Sequence, residues 1–516
     1  MAAPSTPTSR LNRTTELLLV SPEAPQALQP STGRRRRITP TQEELTPRKV
    51  ALLTWPEPTT SAPSSLLSGA IKRHWPAAAV EAVIDAKVPF GPYEPNPLYS
   101  SPAPVPVRHI VLSFNLLDSP EKLYDWENRT FLFSIFPGTV VISMIEPFLM
   151  LGMQSLPPKP WPKTVAGLIP HFYVYPEGEP MLLPRGPAPI GLLSRSSRTI
   201  ANELDGRDTQ DWSAIFQAVQ VDFEQQGIAI TEVIYWGNCI TIVLESRNVD
   251  KTKPPRRVGR LTCDYLFEDD MGRSSSPRAR RPTDHAPGQP DESNYPTLQP
   301  GLRVASSHIP GDQQYTSTTT GVLVKDRDGK RFMTAAAQGF PAACGSNVYH
   351  PDPRSRVIGK LATRLDQTDI ALVELKEQES FLNVTFKNAD TPAPVQLGRL
   401  LPRNNLRRFD SMWIDSPDTG SIEGTLIATA MTRIPPDDGH ALLPTQAWVN
   451  TTWSYMGQDA DLPEGMCGSA MLRATDDGGL DVAGFFRYAP ARGPFLGYCC
   501  GTAAEELIAR GYTLAD

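Results

Sequence analysis

Gly321-Val-Leu-Val-Lys-Asp326-Arg-Asp-Gly329-Lys-Arg331-Phe-Met-Thr334 decides the fold class of the C-terminal part of the chain. Two short apolar runs flank an acid-rich turn closed by a glycine, the pattern of a β-hairpin. The same texture continues from Gly301 to Asp516, where short apolar runs alternate with Gly, Pro, Asp and Asn clusters. Asp369-Ile-Ala-Leu-Val-Glu-Leu375 reads as a further strand, so residues 301–516 are expected to be all-β. Only Thr502–Arg510 reads as a helix, with Leu507 and Ile508 apolar and Gly511 as its stop.

Outward from this block the composition changes twice. Residues 268–300 carry Pro, Ser and an Arg278, Arg280, Arg281 cluster, which reads as a linker. Residues 107–267 read as an α+β domain of unknown role. Arg108–Phe114 is expected to be a strand, and Ser119-Pro120-Glu121 has the cap, proline and acid of a helix start. Phe131–Phe136 and Thr139–Ile145 flank Pro137-Gly138 and are expected to pair as a hairpin. Trp212, Ile215, Phe216, Val219 and Phe223 recur at spacings of three and four, which predicts a helix over 208–226 stopped by Gly227. Ile228–Tyr235 and Cys239–Leu244 then form a second hairpin through Trp236-Gly237-Asn238.

The chain has 516 residues and 53 prolines, about one in ten against a usual ~5%. Eighteen of them fall in the first 107 residues, so 1–106, which also holds Arg34–Arg37, is expected to be a disordered Pro/Ser/Thr/Arg-rich arm. With 50 basic and 56 acidic residues and a net charge of −6, no broad field points to nucleic acid. The start lacks the basic-then-apolar pattern of a secretory signal. The most apolar stretch, Phe131–Met153, is broken by Pro137, Gly138, Glu146 and Pro147, so no membrane association is expected. An intracellular protein with six reduced cysteines follows, cytoplasm or nucleus undecided. Adjacent residues on a strand point to opposite faces, so Cys499-Cys500 does not chelate one ion; no metal or other cofactor is expected.

Three segments occur in a telling order: Phe332-Met-Thr-Ala-Ala-Ala-Gln338-Gly-Phe-Pro341, Thr368-Asp369-Ile-Ala-Leu-Val373 and Glu464-Gly465-Met-Cys467-Gly-Ser469-Ala470. Together they resemble the base, orienting-acid and nucleophile segments of chymotrypsin-like (PA-clan) proteases, nearest to trypsin-like-domain proteins of filamentous fungi. The resemblance spans residues 301–516 and implies a double β-barrel with a peptide-shaped cleft. It also implies that Val482-Ala-Gly484-Phe485-Phe486-Arg-Tyr488 is the strand beside which a bound peptide would lie, making a protein or peptide the expected partner. Asp461, six positions before Cys467, falls where a trypsin-type specificity acid would stand; a turn acid beside Pro463 is the plainer reading.

In that family a histidine accepts the nucleophile's proton, a buried carboxylate fixes its tautomer, and backbone N–H groups aim at the oxyanion. The matching positions here are Gln338, Asp369 and Cys467, with Gly465 and Cys467 as backbone oxyanion donors. Gln338 departs from the pattern, because an amide has no proton-transfer pKa near neutrality. Cysteine keeps a few per cent thiolate near pH 7 without a base, which leaves it residual thiol chemistry. Loss of a triad member lowers turnover by roughly 10⁴- to 10⁶-fold. The expectation is therefore a weakly active or silent peptidase relative that binds extended peptides. Two alternatives stand beside it: an active cysteine endopeptidase or acyl-transfer enzyme using His308, His350 or His440 as base, and a non-catalytic interaction scaffold whose contacts rest on the arm and the α+β domain.

Overall fold

The computed structural model describes residues 19–20, 109–145, 147–157, 161–175, 196–207, 212–273, 293–307, 314–340, 343–365, 367–386, 393–433, 448–458, 462, 465–475, 478–490 and 495–516. The expected N-terminal arm therefore lies outside the described residues except for Leu19–Val20, as do Asp461, His308 and His440. No described helix is long and apolar enough to cross a membrane.

The chain divides into two compact units, one carrying the described residues up to 175 and the other those from 196 onward. In the first, a 3-10 turn at Pro120–Tyr124 follows Ser119, and helix α1 (Trp126–Ile135) buries Phe131, Leu132 and Phe133. Strands β1 (Thr139–Ile145) and β2 (Phe148–Met153) pair antiparallel, and β3 (Ile169–Val174) joins β2 in parallel. Phe131–Phe136 is thus not a hairpin strand. A short apolar run fits either period, and its five apolar side chains join Leu116, Leu123 and Leu168 in one core. The hairpin is instead formed by β1 and β2, with Ile145 opposite Phe148. The strand expected over 108–114 shrinks to His109–Ile110.

The second unit begins with α2 (Trp212–Gln226), whose buried Trp212, Ile215, Phe216, Val219 and Phe223 are the residues of the sequence pattern. It packs on β4 (Ile230–Tyr235), β5 (Cys239–Leu244) and β6 (Leu261–Phe267). β4 and β5 pair antiparallel as expected, with Gly237 at φ +84° in the turn, while β6 runs parallel to β5.

Twelve further strands form two rings. The first holds β7 (Arg303–Ala305), β8 (Ser317–Lys325), β9 (Arg331–Ala336), β10 (Asn347–His350), β11 (Arg356–Leu365) and β12 (Ile370–Leu375). Their order is β7-β10-β11-β12-β9-β8, and β8 pairs back to β7, closing a six-stranded barrel. The second holds β13 (Ser411–Ser416), β14 (Gly420–Arg433), β15 (Trp448–Tyr455), β16 (Ala470–Ala474), β17 (Leu480–Tyr488) and β18 (Tyr498–Ala503). Its order is β13-β16-β17-β18-β15-β14, and β14 pairs back to β13. The strand order of the first ring is repeated in the second. A short helix, α3 (Glu505–Ala509), follows β18, so the expected terminal helix loses its first turn to the strand.

Between the rings, Val322, Val324, Ile370 and Leu372 of the first pack on Leu472, Val482 and Phe485 of the second and on Leu507 of α3. Full burial of such side chains is worth roughly 1.5–3 kcal/mol each, so the two rings hold one another.

The stretch 107–267, read as one domain, is divided between the units, and β4 pairs antiparallel with β14 (Tyr235 opposite Thr429). The segment 230–267 is thereby an extension of the second ring's sheet. The linker is also shorter than expected. Residues 268–273 and 293–300 are packed, with Arg273 largely buried and Thr297–Leu298 paired to Ser380–Phe381. Only 274–292 lies outside the described residues.

Candidate active site

The first ring supplies Gln338 and Asp369. Strand β9 ends in a 3-10 turn, Ala337–Gly339, that carries Gln338. Asp369 immediately precedes β12, which pairs with β9, so the two residues come together by register (Ala336 opposite Ile370). Asp369 adopts a left-handed backbone, φ +58°, an uncommon conformation for a residue with a side chain. Its carboxylate Oδ1 accepts the backbone N–H of Gln338 at 3.0 Å, and its carbonyl accepts that of Ala337 at 3.0 Å.

The second ring supplies Cys467, just before β16, on a turn with left-handed glycines on either side (Gly465 φ +90°, Gly468 φ +95°). A Cβ at Gly468 would lie 2.6 Å from the Ala336 nitrogen and 2.6 Å from the Thr319 oxygen, both backbone atoms that have no room to give. The turn is laced onto β8. Thr319 N–H donates to the Cys467 carbonyl at 3.0 Å, the Thr318 hydroxyl donates to the same oxygen, and the Thr319 hydroxyl donates to the Gly465 carbonyl at 2.7 Å. Behind Gly465 stands Arg303, whose guanidinium forms a buried ion pair with Asp418 at 2.9 Å.

Arg487, unremarked by sequence reasoning, is the hub of the site. Its carbonyl accepts the Cys467 thiol S–H at 2.8 Å and the Gln338 amide N–H at 3.3 Å. Its guanidinium Nε lies 3.8 Å from Asp369 Oδ2, and its Nη1 is buried with no partner among the described residues. Asp369 therefore meets Gln338 through the backbone N–H. The Gln338 amide reaches the Arg487 carbonyl and the thiol, while Arg487 faces the other carboxylate oxygen of Asp369. A signal did exist: Arg487 is the one charge in the apolar run Val482–Tyr488.

The electrostatics disfavour a thiolate. Burial, followed by the neighbouring Asp369 carboxylate, pushes the Cys467 thiol up to about 12, with Arg487 and the Gln338 amide opposing. A thiolate would face the negative end of the Arg487 carbonyl dipole, whereas the neutral thiol donates to it.

The structure corrects two expectations. His350 does not serve as the base: it is 1% exposed, its Nδ1 donates to the Arg303 carbonyl at 2.6 Å, and its Nε2 accepts the Tyr295 N–H at 3.0 Å. Both ring nitrogens are committed inside the first ring. The run 482–488 offers no free edge over Gly484, Phe485 and Phe486. On one side it pairs with β16, and on the other with Leu397–Leu400 and then β18. Phe485 and Phe486 are also buried, so neither their backbone nor their rings are open to a peptide. Among the described residues no group of three or more His, Cys, Asp or Glu side chains could hold a metal ion. Cys499 and Cys500 are both fully buried.

No family model and no curated protein matches the chain. Among solved structures, it is similar to a glutamic acid-specific serine protease (13% identity, 42% of this chain and 100% of that one, TM-score 0.30). It is also similar to the Nocardiopsis protease NAPase (12%, 43% and 100%, TM-score 0.30) and to a Cellulomonas bogoriensis chymotrypsin (13%, 42% and 98%, TM-score 0.29).

Proposed function

We propose that residues 293–516 are a chymotrypsin-like double barrel whose catalytic centre is silent, a pseudo-peptidase with Cys467 at the nucleophile position, Gln338 in place of the base and Asp369 as the remaining acid. The reading is supported by the repeated strand order of the two rings and by the meeting of the three residues at their junction. The observation that carries it is the Cys467 S–H bonded to the Arg487 carbonyl, which also takes the Gln338 amide. The thiol is held protonated, and no imidazole among the described residues of this unit is free to take its proton. Gly465 and Cys467 N–H groups remain the oxyanion donors of this reading, and a protein or peptide segment remains its partner class, bound elsewhere than along the paired edges of 480–488.

The test is turnover of a mixed peptide-thioester library by the full chain, with Cys467→Ala and Gln338→His beside it. The expected wild-type rate is at least ~10⁴-fold below that of an intact triad, with no change on Cys467→Ala. Gln338→His supplies an imidazole next to the thiol and is expected to create measurable, Cys467-dependent turnover. Wild-type turnover abolished by Cys467→Ala would overturn the proposal.

A further inference from the structure

The segment 196–273 has no role in the site so far described, yet it sends two buried charges toward it. Glu232 on β4 is 0% exposed. Its Oε1 accepts the Trp453 indole N–H at 2.8 Å and the Thr432 hydroxyl at 2.9 Å, and its Oε2 pairs with Arg273. Arg273, itself 13% exposed, also lies 3.3 Å from Glu268, which in turn accepts the Thr231 hydroxyl. A carboxylate so fully bonded fixes its guanidinium in one place.

Arg273 lies over the Tyr488 ring, with Cζ 5.6 Å from its centroid. Arg487 lies over the same ring at 5.3 Å, and Trp453, the indole that donates to Glu232, packs edge-on against it at 5.7 Å. The place of Tyr488 is set by these ring contacts and by its strand pairing. That pairing is irregular here: the β17–β18 register shifts between Phe486 and Tyr488, leaving Arg487 at a bulge. A bulge re-aims a backbone group. The group re-aimed is the carbonyl that holds the Cys467 thiol.

We infer that Arg273 is a positioning residue for Cys467: clamped by Glu232, it seats the Tyr488 ring on which the Arg487 guanidinium rests, and so keeps the Arg487 carbonyl on the thiol. The inference rests on reading Cys467 as a silenced nucleophile. It gives 196–273 a task, that of holding the site's lock from outside the barrels, and it makes the buried Glu232–Arg273 pair a device for geometry rather than stability alone.

The experiment measures Cys467 carbamidomethylation by iodoacetamide in the folded full chain from pH 6 to 10, read by mass spectrometry, with unfolding midpoints recorded in parallel. Arg273→Ala is expected to raise the Cys467 rate at pH 8 by at least ~10-fold and to move the profile to lower pH, since the thiol loses its acceptor. Arg273→Lys, which keeps the charge but not the planar stack, is expected to fall between. Tyr488→Phe, which keeps the ring, and Arg247→Ala, in an exposed ion pair on the same segment, are expected to stay within about twofold of wild type. Cys499, fully buried elsewhere in the second ring, reports general loosening. The inference is overturned if folded Arg273→Ala keeps the wild-type profile, or if Cys499 gains reactivity in step with Cys467. Should Arg273→Ala fail to fold, Arg273→Lys and Glu268→Gln carry the test, and an unmoved profile in both overturns it. A failure here leaves the turnover test untouched, because that test reads product and this one reads the thiol.

Discussion

The wild-type thiol itself gives the sharpest prediction. With Cys467 pushed up to about 12 and an ordinary cysteine at ~8.5, the thiolate fractions at pH 7.5 are ~3 × 10⁻⁵ and ~10%, a ratio of ~3,000. Part of this is returned, because a more basic thiolate is a better nucleophile: a Brønsted slope of ~0.4–0.5 over 3.5 units restores roughly 25- to 60-fold. Cys467 should therefore alkylate ~50- to 100-fold more slowly than a cysteine-containing reference peptide in the same tube. Steric shielding also slows a partly buried thiol, so shape discriminates better than absolute rate. The logarithm of the Cys467 rate should climb by about one decade per pH unit through pH 10, while the reference peptide levels off above ~9.5. Exposed Cys344 is followed in the same spectra to show that reagent reaches the folded protein. A Cys467 rate equal to the peptide's at pH 7.5, or a plateau below pH 9, would refute the assignment of a neutral, carbonyl-bound thiol and return the chain to the active cysteine enzymes.

Other outcomes follow from the same contacts. Gly468→Ala puts a Cβ against two backbone atoms at a left-handed φ, and should cost roughly 2–4 kcal/mol in urea unfolding; a cost under ~0.5 would mean the turn is loose. Asp418→Ala strands the Arg303 charge under Gly465 and should cost about 3–5 kcal/mol, while Arg303→Met with Asp418→Leu should recover most of it; equal single and double losses would deny the pairing. His171 on β3 is 2% exposed, and burial depresses its pKa to about 4, so it stays neutral in the fold. The unfolded chain takes up a proton near pH 6.5 and the folded one does not, so the stabilisation present above pH 6.5 is lost as pH falls toward 4. The full loss is about 3 kcal/mol. Hydrogen exchange of peptides from 139–174 should show this loss in the wild type and not in His171→Leu; identical pH dependence in both would sink it.

Local pattern was legible wherever one element's own side chains set its period. The i, i+3, i+4 recurrence from Trp212 to Phe223 gave helix α2, and alternation around Asp326–Gly329 gave the β8–β9 hairpin. Phe131–Phe136 was not legible, because its five apolar residues satisfy both periods and only the surrounding core chose the helix. The linker's limits were misread for a related reason: Arg273 looks like one more solvated arginine until a fully buried glutamate 41 positions earlier meets it.

By itself the sequence determined which residue types could do chemistry at the site and which could not, since an amide at 338 has no usable pKa in any fold. The order of Gln338, Asp369 and Cys467 along the chain also named the residues that would meet. Tertiary structure decided the state of that chemistry. Whether a thiol is poised or quenched depends on what faces it, and here that is a carbonyl 20 positions downstream in sequence, aimed by a bulge and backed by Arg273. The pairing of Tyr235 with Thr429, which makes 230–267 part of the same sheet, is likewise a contact between segments almost 200 residues apart. Periodicity constrains what an element buries, and partner choice across such distances is set only when the whole core closes.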